Sequence, residues 1–136
     1  MNLPQPTQRE HMVLKILWQR GEATVREVYE AMRRATGDEE SPVAQNTVQA
    51  FLRTMDEKGL VRHRQQGRTF IYSPAVRQEE TNRQLTGRLL QTVFDGAIDQ
   101  LVDSALSLRP PTPEELRRLE RLIEEARQRQ EMGDRR

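Results

Sequence analysis

The sequence predicts a mainly α chain in two lobes: an N-terminal lobe that adds a small β-hairpin to its helices, and a C-terminal lobe of three helices. Three observations lead there. Three helix starts are written as a hydroxyl followed three residues on by a carboxylate, the pattern of a capping box. Apolar residues recur at helical spacing through most of the chain. Two strand-like runs, Val61 to Gln65 and Thr69 to Ser73, flank a turn that contains glycine.

The first capping box, Thr7-Gln8-Arg9-Glu10, opens a helix that carries Val13, Ile16 and Leu17 inward and stops near Gly21. Glu22 to Thr24 reads as a short strand. Thr24-Val25-Arg26-Glu27 then starts a second helix, from Val25 to about Arg34, which buries Val28 and Met32. "TGDEESP" breaks the pattern as a polar, mobile connection over 36–43. A third helix opens around Ala44 and ends at Gly59, where a left-handed cap is expected. Val48, Phe51, Leu52 and Met55 are its apolar stripe, while Asn46, Gln49 and Arg53 fall on another face at spacings of three and four. The hairpin follows, and Pro74 ends it.

From Val76 onward the pattern is helical. Leu85, Leu89 and Val93 stripe one helix, widened by Leu90 and Phe94; Gly96 interrupts it. Ile98, Leu101, Val102, Ala105 and Leu106 stripe the next. "RPPTP" is a rigid corner, and Thr112-Pro113-Glu114-Glu115 starts the last helix with proline at the favoured first position. Leu116, Leu119, Ile123 and Ala126 stripe it, and a polar tail is expected to fray. The domain boundary is placed between residues 75 and 76.

Composition narrows the function. At 136 residues, 35% hydrophobic and 4% aromatic, one subunit buries a thin core, which dimerisation would enlarge. There is no cysteine, so disulfides, thiolate metal sites and cysteine nucleophiles are excluded. His11 and His63 read as isolated, with no HxxxH pattern or His-carboxylate cluster around them, and no grouping of Ser, Asp and Glu reads as a catalytic set, so no metal site, enzyme or cofactor is expected. No signal peptide or long apolar run is seen, which points to a soluble, cytoplasmic protein without membrane insertion. The net charge of +1 hides a local excess: between Gln45 and Val76 there are 5 basic residues against 2 acidic.

The element order helix, strand, helix, helix, strand, turn, strand is that of a winged helix-turn-helix. A helix can enter the major groove of double-stranded DNA while a basic hairpin lies on the neighbouring backbone. Gln45, Asn46 and Gln49 can bond base edges through their amides, with Thr47 and Arg53 beside them on the same helix. Arg62, Arg64 and Arg68 present guanidinium forks to phosphate. The plainer readings are a solvated helix face, Asn46 acting as a helix cap rather than a reader, and edge-strand charges at Arg62 and Arg64 that block strand pairing. Leu89, Val93, Leu101 and Leu116 are the expected dimer contacts, because three short helices cannot bury all that apolar surface within one subunit.

The segments "LPQPTQRE", "VLKILW", "ATVREV", "NTVQAFLRTMDEKGLV", "GRTFIY" and "FDGAIDQLV" occur in that order. On them the chain resembles the penicillinase-repressor family of winged-helix regulators, which includes the methicillin-resistance and copper-responsive repressors. The resemblance runs from about Leu3 to Ala126. It implies an N-terminal DNA-binding lobe, a C-terminal helical dimerisation lobe and repression from palindromic operators. In the antibiotic-responsive members a protease-linked membrane sensor triggers cleavage of an Asn-Phe bond in the dimerisation lobe. The matching positions here are Ser104 and Ala105, so that bond is not carried over. The C-terminal cysteines of the copper-responsive members are also missing, and the loop "ATGDEESPVAQ" is longer than in the antibiotic-responsive members. Two other classes fit the same residues: a protein-interaction adaptor whose basic wing docks an acidic protein, and a small-molecule-sensing regulator.

Overall fold

Thr7 opens helix α1 (Gln8–Arg20) with both halves of a capping box: Glu10 N donates to Thr7 Oγ1 at 3.2 Å, and Thr7 N donates to Glu10 Oε1 at 2.9 Å. Thr24 and Glu27 repeat the device between strand β1 (Ala23–Thr24) and helix α2 (Val25–Thr36). Helix α3 (Gln45–Lys58) starts after Ala44 and ends at Gly59, whose φ of +83° is the left-handed cap the sequence predicts. Strands β2 (Val61–Gln66) and β3 (Thr69–Pro74) form the hairpin, and β3 also pairs with β1, giving an antiparallel sheet of order β1-β3-β2. This computed structural model describes residues 5–37 and 44–134; most of the polar connection predicted over 36–43 lies outside them. The arrangement is a winged helix-turn-helix.

The chain divides into two compact units, Met1–Arg88 and Leu89–Arg136. The core of the first is Val13, Leu14 and Leu17 from α1, Val28 and Met32 from α2, and Val48, Leu52 and Met55 from α3, closed by Leu60, Val61 and Tyr72. Ile16, expected inside, is half-buried, and Leu14 beside it is fully buried. Residues 76–88, placed with the second lobe by sequence, belong to this first unit. Thr81 is buried there, and Trp18 Nε1 donates to the Val76 carbonyl at 3.0 Å.

One long-range ion pair ties the ends of two helices together. Glu10, 3% exposed, accepts from Lys58 Nζ at 2.7 Å while still serving the Thr7 cap. Burial pushes this carboxyl up, but the Lys58 ammonium and the Thr7 hydrogen bonds outweigh it and hold the group below the usual carboxylate range. Lys58→Met leaves a buried carboxylate without its cation. The expected loss is about 2–3 kcal/mol in a urea titration, discounted from a fully buried pair because Lys58 is a third exposed. A folded pKa below the unfolded one stabilises above the ordinary carboxylate range and ceases to do so as pH falls through the depressed value. The difference between wild type and Lys58→Met therefore shrinks in acid. An unchanged urea midpoint at neutral pH would show the pair to be idle.

The second unit holds the end of α4 (Gln78–Thr92), α5 (Ile98–Leu108) and α6 (Pro113–Asp134). Val93, expected on the stripe of α4, lies just past its end. Asp95 at φ +50° and Gly96 at φ +85° adopt left-handed conformations that a helix cannot continue through. The tail expected to fray is instead helical to Asp134, consistent with a run rich in Glu, Arg and Gln. The corner before α6 is braced by a capping box on Thr112 and by two bonds from Arg109 to Glu115, at 3.0 and 2.9 Å. The Arg109 guanidinium and the Thr112 N–H hold the Glu115 carboxyl down at about 2. Neither α5 nor α6 buries a single residue. Leu101, Val102, Ala105, Leu106 and Leu119 instead line an open groove of about 620 Å³.

Candidate nucleic-acid interface

Helix α3 turns Val48, Leu52 and Met55 into the core and leaves Gln45, Asn46, Thr47, Gln49 and Arg53 exposed. At 100° per residue, Gln45, Gln49 and Arg53 form one ridge with Asn46 beside it. Thr47 faces the other flank and does not join that row. The N-cap is Ala44, with no side-chain cap hydrogen bond, so Asn46 is not the cap that its sequence context allowed.

The wing begins two residues after α3. Gly59 reverses the chain, Leu60 is fully buried with its N–H on the Met55 carbonyl at 2.8 Å, and β2 starts at Val61. At the far end the register pairs Gln66 with Thr69, leaving a loop of only Gly67 and Arg68. Gly67 stands at φ +63°, a conformation that glycine supplies at the first position of such tight hairpins. Arg68 is thereby carried at the tip. Cross-strand pairing puts His63 on the face of Tyr72 and Ala23, which are buried. Arg62 and Arg64 alternate onto the outer face.

The wing tip and the helix starts enclose a cleft of about 470 Å³. Gln45 and Gln49 of α3 line it together with Arg68, Thr69 and Phe70 of the wing and Thr24, Val25 and Arg26 at the start of α2. Of the predicted residues, the cleft unites Gln45, Gln49 and Arg68. Asn46 and Arg53 extend the same helix face, while Thr47, Arg62 and Arg64 lie elsewhere. Arg26, Thr69 and Phe70 were not singled out by sequence. Arg26 sits inside a capping box and pairs with Glu30 at 3.2 Å, so it reads locally as an ordinary helix charge. Phe70 is 41% exposed, unusual for a large aromatic, and its ring meets His63 edge-on at 5.2 Å.

His63 corrects an expectation. It does have a carboxylate partner: its Nδ1 bonds Asp56 Oδ2 on α3, across the Gly59 turn. With Phe70 and Tyr72 on either side, the imidazole links the wing to the third helix. Among the described residues, no three His, Asp or Glu side chains group to hold an ion, and no helix is long and apolar enough to cross a membrane.

The profile of the family described as penicillinase repressor matches residues 6–125, nearly the whole chain. The chain belongs to the penicillinase repressor family. As a member it is a DNA-binding transcriptional repressor with a winged helix. The penicillinase repressor of Bacillus licheniformis is 24% identical over 127 residues, spanning 93% of this chain and 95% of that one. Among solved structures, the monomeric form of B. licheniformis BlaI in complex with the blaP half-operator is 25% identical. It has a TM-score of 0.47 and covers 58% of this chain and 90% of that one. YusO of Bacillus subtilis is 19% identical with a TM-score of 0.48, covering 90% of this chain and 74% of that one. Membership rests on the family match.

Proposed function

We propose that this member of the penicillinase repressor family works as a homodimer on a palindromic operator, with α3 in the major groove and the wing on the neighbouring backbone. The observation that carries this reading is the cleft. It sets amides able to donate and accept toward a base edge, Gln45 and Gln49, beside a guanidinium suited to phosphate, Arg68. Asn46 and Arg53 lengthen the reading row. Thr47, on the other flank, suits a backbone contact. Arg62 and Arg64 add phosphate contacts from the outer face of the hairpin. The α5 and α6 stripes, left without a buried residue, support a second copy as their cover, with Leu89, Val93, Leu101 and Leu116 among the contacts. A C₂ dimer then offers two α3 helices to half-sites about one helical turn apart or a multiple of it.

The direct test is genome-wide capture of the DNA bound by the full chain, followed by binding assays on the recovered sites over a range of salt. Retention that falls steeply with salt is the expected result. Binding to an acidic protein with no retention on DNA would favour the adaptor reading instead. Within the recovered operator, Gln49→Ala is expected to relax preference by about 1–3 kcal/mol at one base pair, measured by competition among single-base variants. An equal loss on every duplex would take Gln49 out of base readout.

The α5–α6 groove gives the small-molecule-sensing reading one observation in its favour, since it is apolar with Arg109, Glu114 and Arg118 at its edge. Its walls are the helices proposed as the dimer surface, so an occupying ligand would compete with assembly. Ser104 and Ala105, where the resemblance places the scissile bond, lie exposed in the middle of α5. A protease acting there first has to open a helix, so we expect a protease-linked membrane sensor, if one serves this chain, to act on another bond.

A further inference from the structure

The three wing arginines are not equivalent. Among the described residues, no hydrogen bond or ion pair engages Arg62 or Arg68, whereas Arg64 Nη2 donates to Glu22 Oε1 at 2.9 Å and its Nη1 to Gln66 Oε1 at 3.3 Å. The pairing is built by the sheet. Register aligns Thr24, Ile71 and Arg64 in one row across β1, β3 and β2, so Arg64 has to cross the whole of β3 to reach the residue before β1. Both side chains stay about half exposed, at 54% and 52%. The contact is therefore open to a competing anion on its solvent side.

We propose that Glu22 is an intramolecular stand-in for phosphate at Arg64, which withholds part of the wing's charge until DNA displaces it. This rests on the DNA-binding reading above. A carboxylate offers an arginine fork the same charged oxygen acceptor as a phosphate does, and an ion pair this exposed is weak enough to be exchanged. On exchange, the Glu22 carboxylate loses its cation and is left close to the DNA polyanion. That cost does not depend on base sequence. Glu22 thus sets how tightly the wing holds any duplex, in contrast to the residues of α3 that choose among duplexes.

The experiment measures fluorescence anisotropy of a labelled mixed-sequence DNA duplex at low salt, using the full chain as wild type, Glu22→Gln, Arg64→Ala and the double variant. Glu22→Gln keeps the side chain's size and removes its charge. It is expected to tighten binding by about two- to five-fold, the range an exposed ion pair can withhold. Arg64→Ala is expected to weaken binding, and in that background the gain from Glu22→Gln is expected to be clearly smaller than in the wild type. Unchanged or weaker binding by Glu22→Gln overturns the proposal. So does an equal gain in the Arg64→Ala background, which would mark simple long-range repulsion. If wild type binds in a salt-dependent way while Glu22→Gln is flat, the stand-in alone is wrong. If wild type fails to bind the duplex at any salt concentration, the DNA reading falls and the proposal with it.

Discussion

Replacing both Arg62 and Arg68 with alanine is expected to weaken binding to operator and random duplex alike, by nearly two decades at about 0.1 M salt. The estimate follows from counterion release: each phosphate neutralised on duplex DNA contributes about 0.9 to the slope of log affinity against log salt, so two lost contacts flatten it by about 1.8. Extrapolated from 1 M, where the electrostatic contribution vanishes, that slope gives the stated loss. These two arginines are chosen because neither has a partner among the described residues, so nothing within the chain discounts their charge. Both are exposed, and their removal leaves the core intact. Titrations of the double variant over a range of salt provide the measurement. An unchanged slope would remove the wing from the DNA-binding surface.

A chain ending after Arg88 is expected to be monomeric and to hold a palindromic operator about 10²–10⁴ times more weakly than the full chain, the scale of avidity lost when two sites are unlinked. The cut belongs there and not after Pro74, because Val76 packs on the first unit's core and Thr81 is buried in that unit. Removing them would confuse a loss of assembly with a loss of fold. Affinity for a single half-site is expected to stay close to that of one subunit in the full chain. Analytical ultracentrifugation of the two forms decides the matter: a full chain that sediments as a monomer at micromolar concentration would defeat the dimer.

What the sequence made legible was local. The Thr7, Thr24 and Thr112 capping boxes, the left-handed stop at Gly59 and the Gly67 turn are each written within a few residues, and each stands where it was predicted. What it concealed was pairing at a distance. Glu10 read fully as a cap residue, yet its second partner, Lys58, lies 48 residues on. Arg64 read as free charge, yet Glu22 meets it from 42 residues away. His63 looked isolated because Asp56 sits across a chain reversal, and no helical or strand periodicity links the two. The same limit hid part of the cleft. Gln45, Gln49 and Arg68 could be chosen by residue type and element, but Arg26 enters only once the sheet has brought the wing tip against the start of α2. The end of α4 was placed late for another reason: apolar spacing carries on through Val93 and Phe94, and although Gly96 marks the stop in the sequence, the helix ends at Thr92, ahead of the positive-φ pair Asp95 and Gly96.

The junction between α3 and the wing is two residues long, with Leu60 fixed at both of its backbone groups: its N–H bonds Met55, and its carbonyl accepts from Ala75 N at 2.9 Å. Together with the His63–Asp56 bond, this joins α3, proposed to read the bases, and the hairpin, proposed to hold the backbone, into a single piece. Such a piece behaves as a ruler laid along the duplex. In the proposed complex, the span between a base edge under Gln49 and a phosphate under Arg68 would be set by the protein, and DNA whose groove is wider or narrower than that span would have to deform to be held. The chain would then gauge groove width as well as letters, at base pairs that none of its side chains touch.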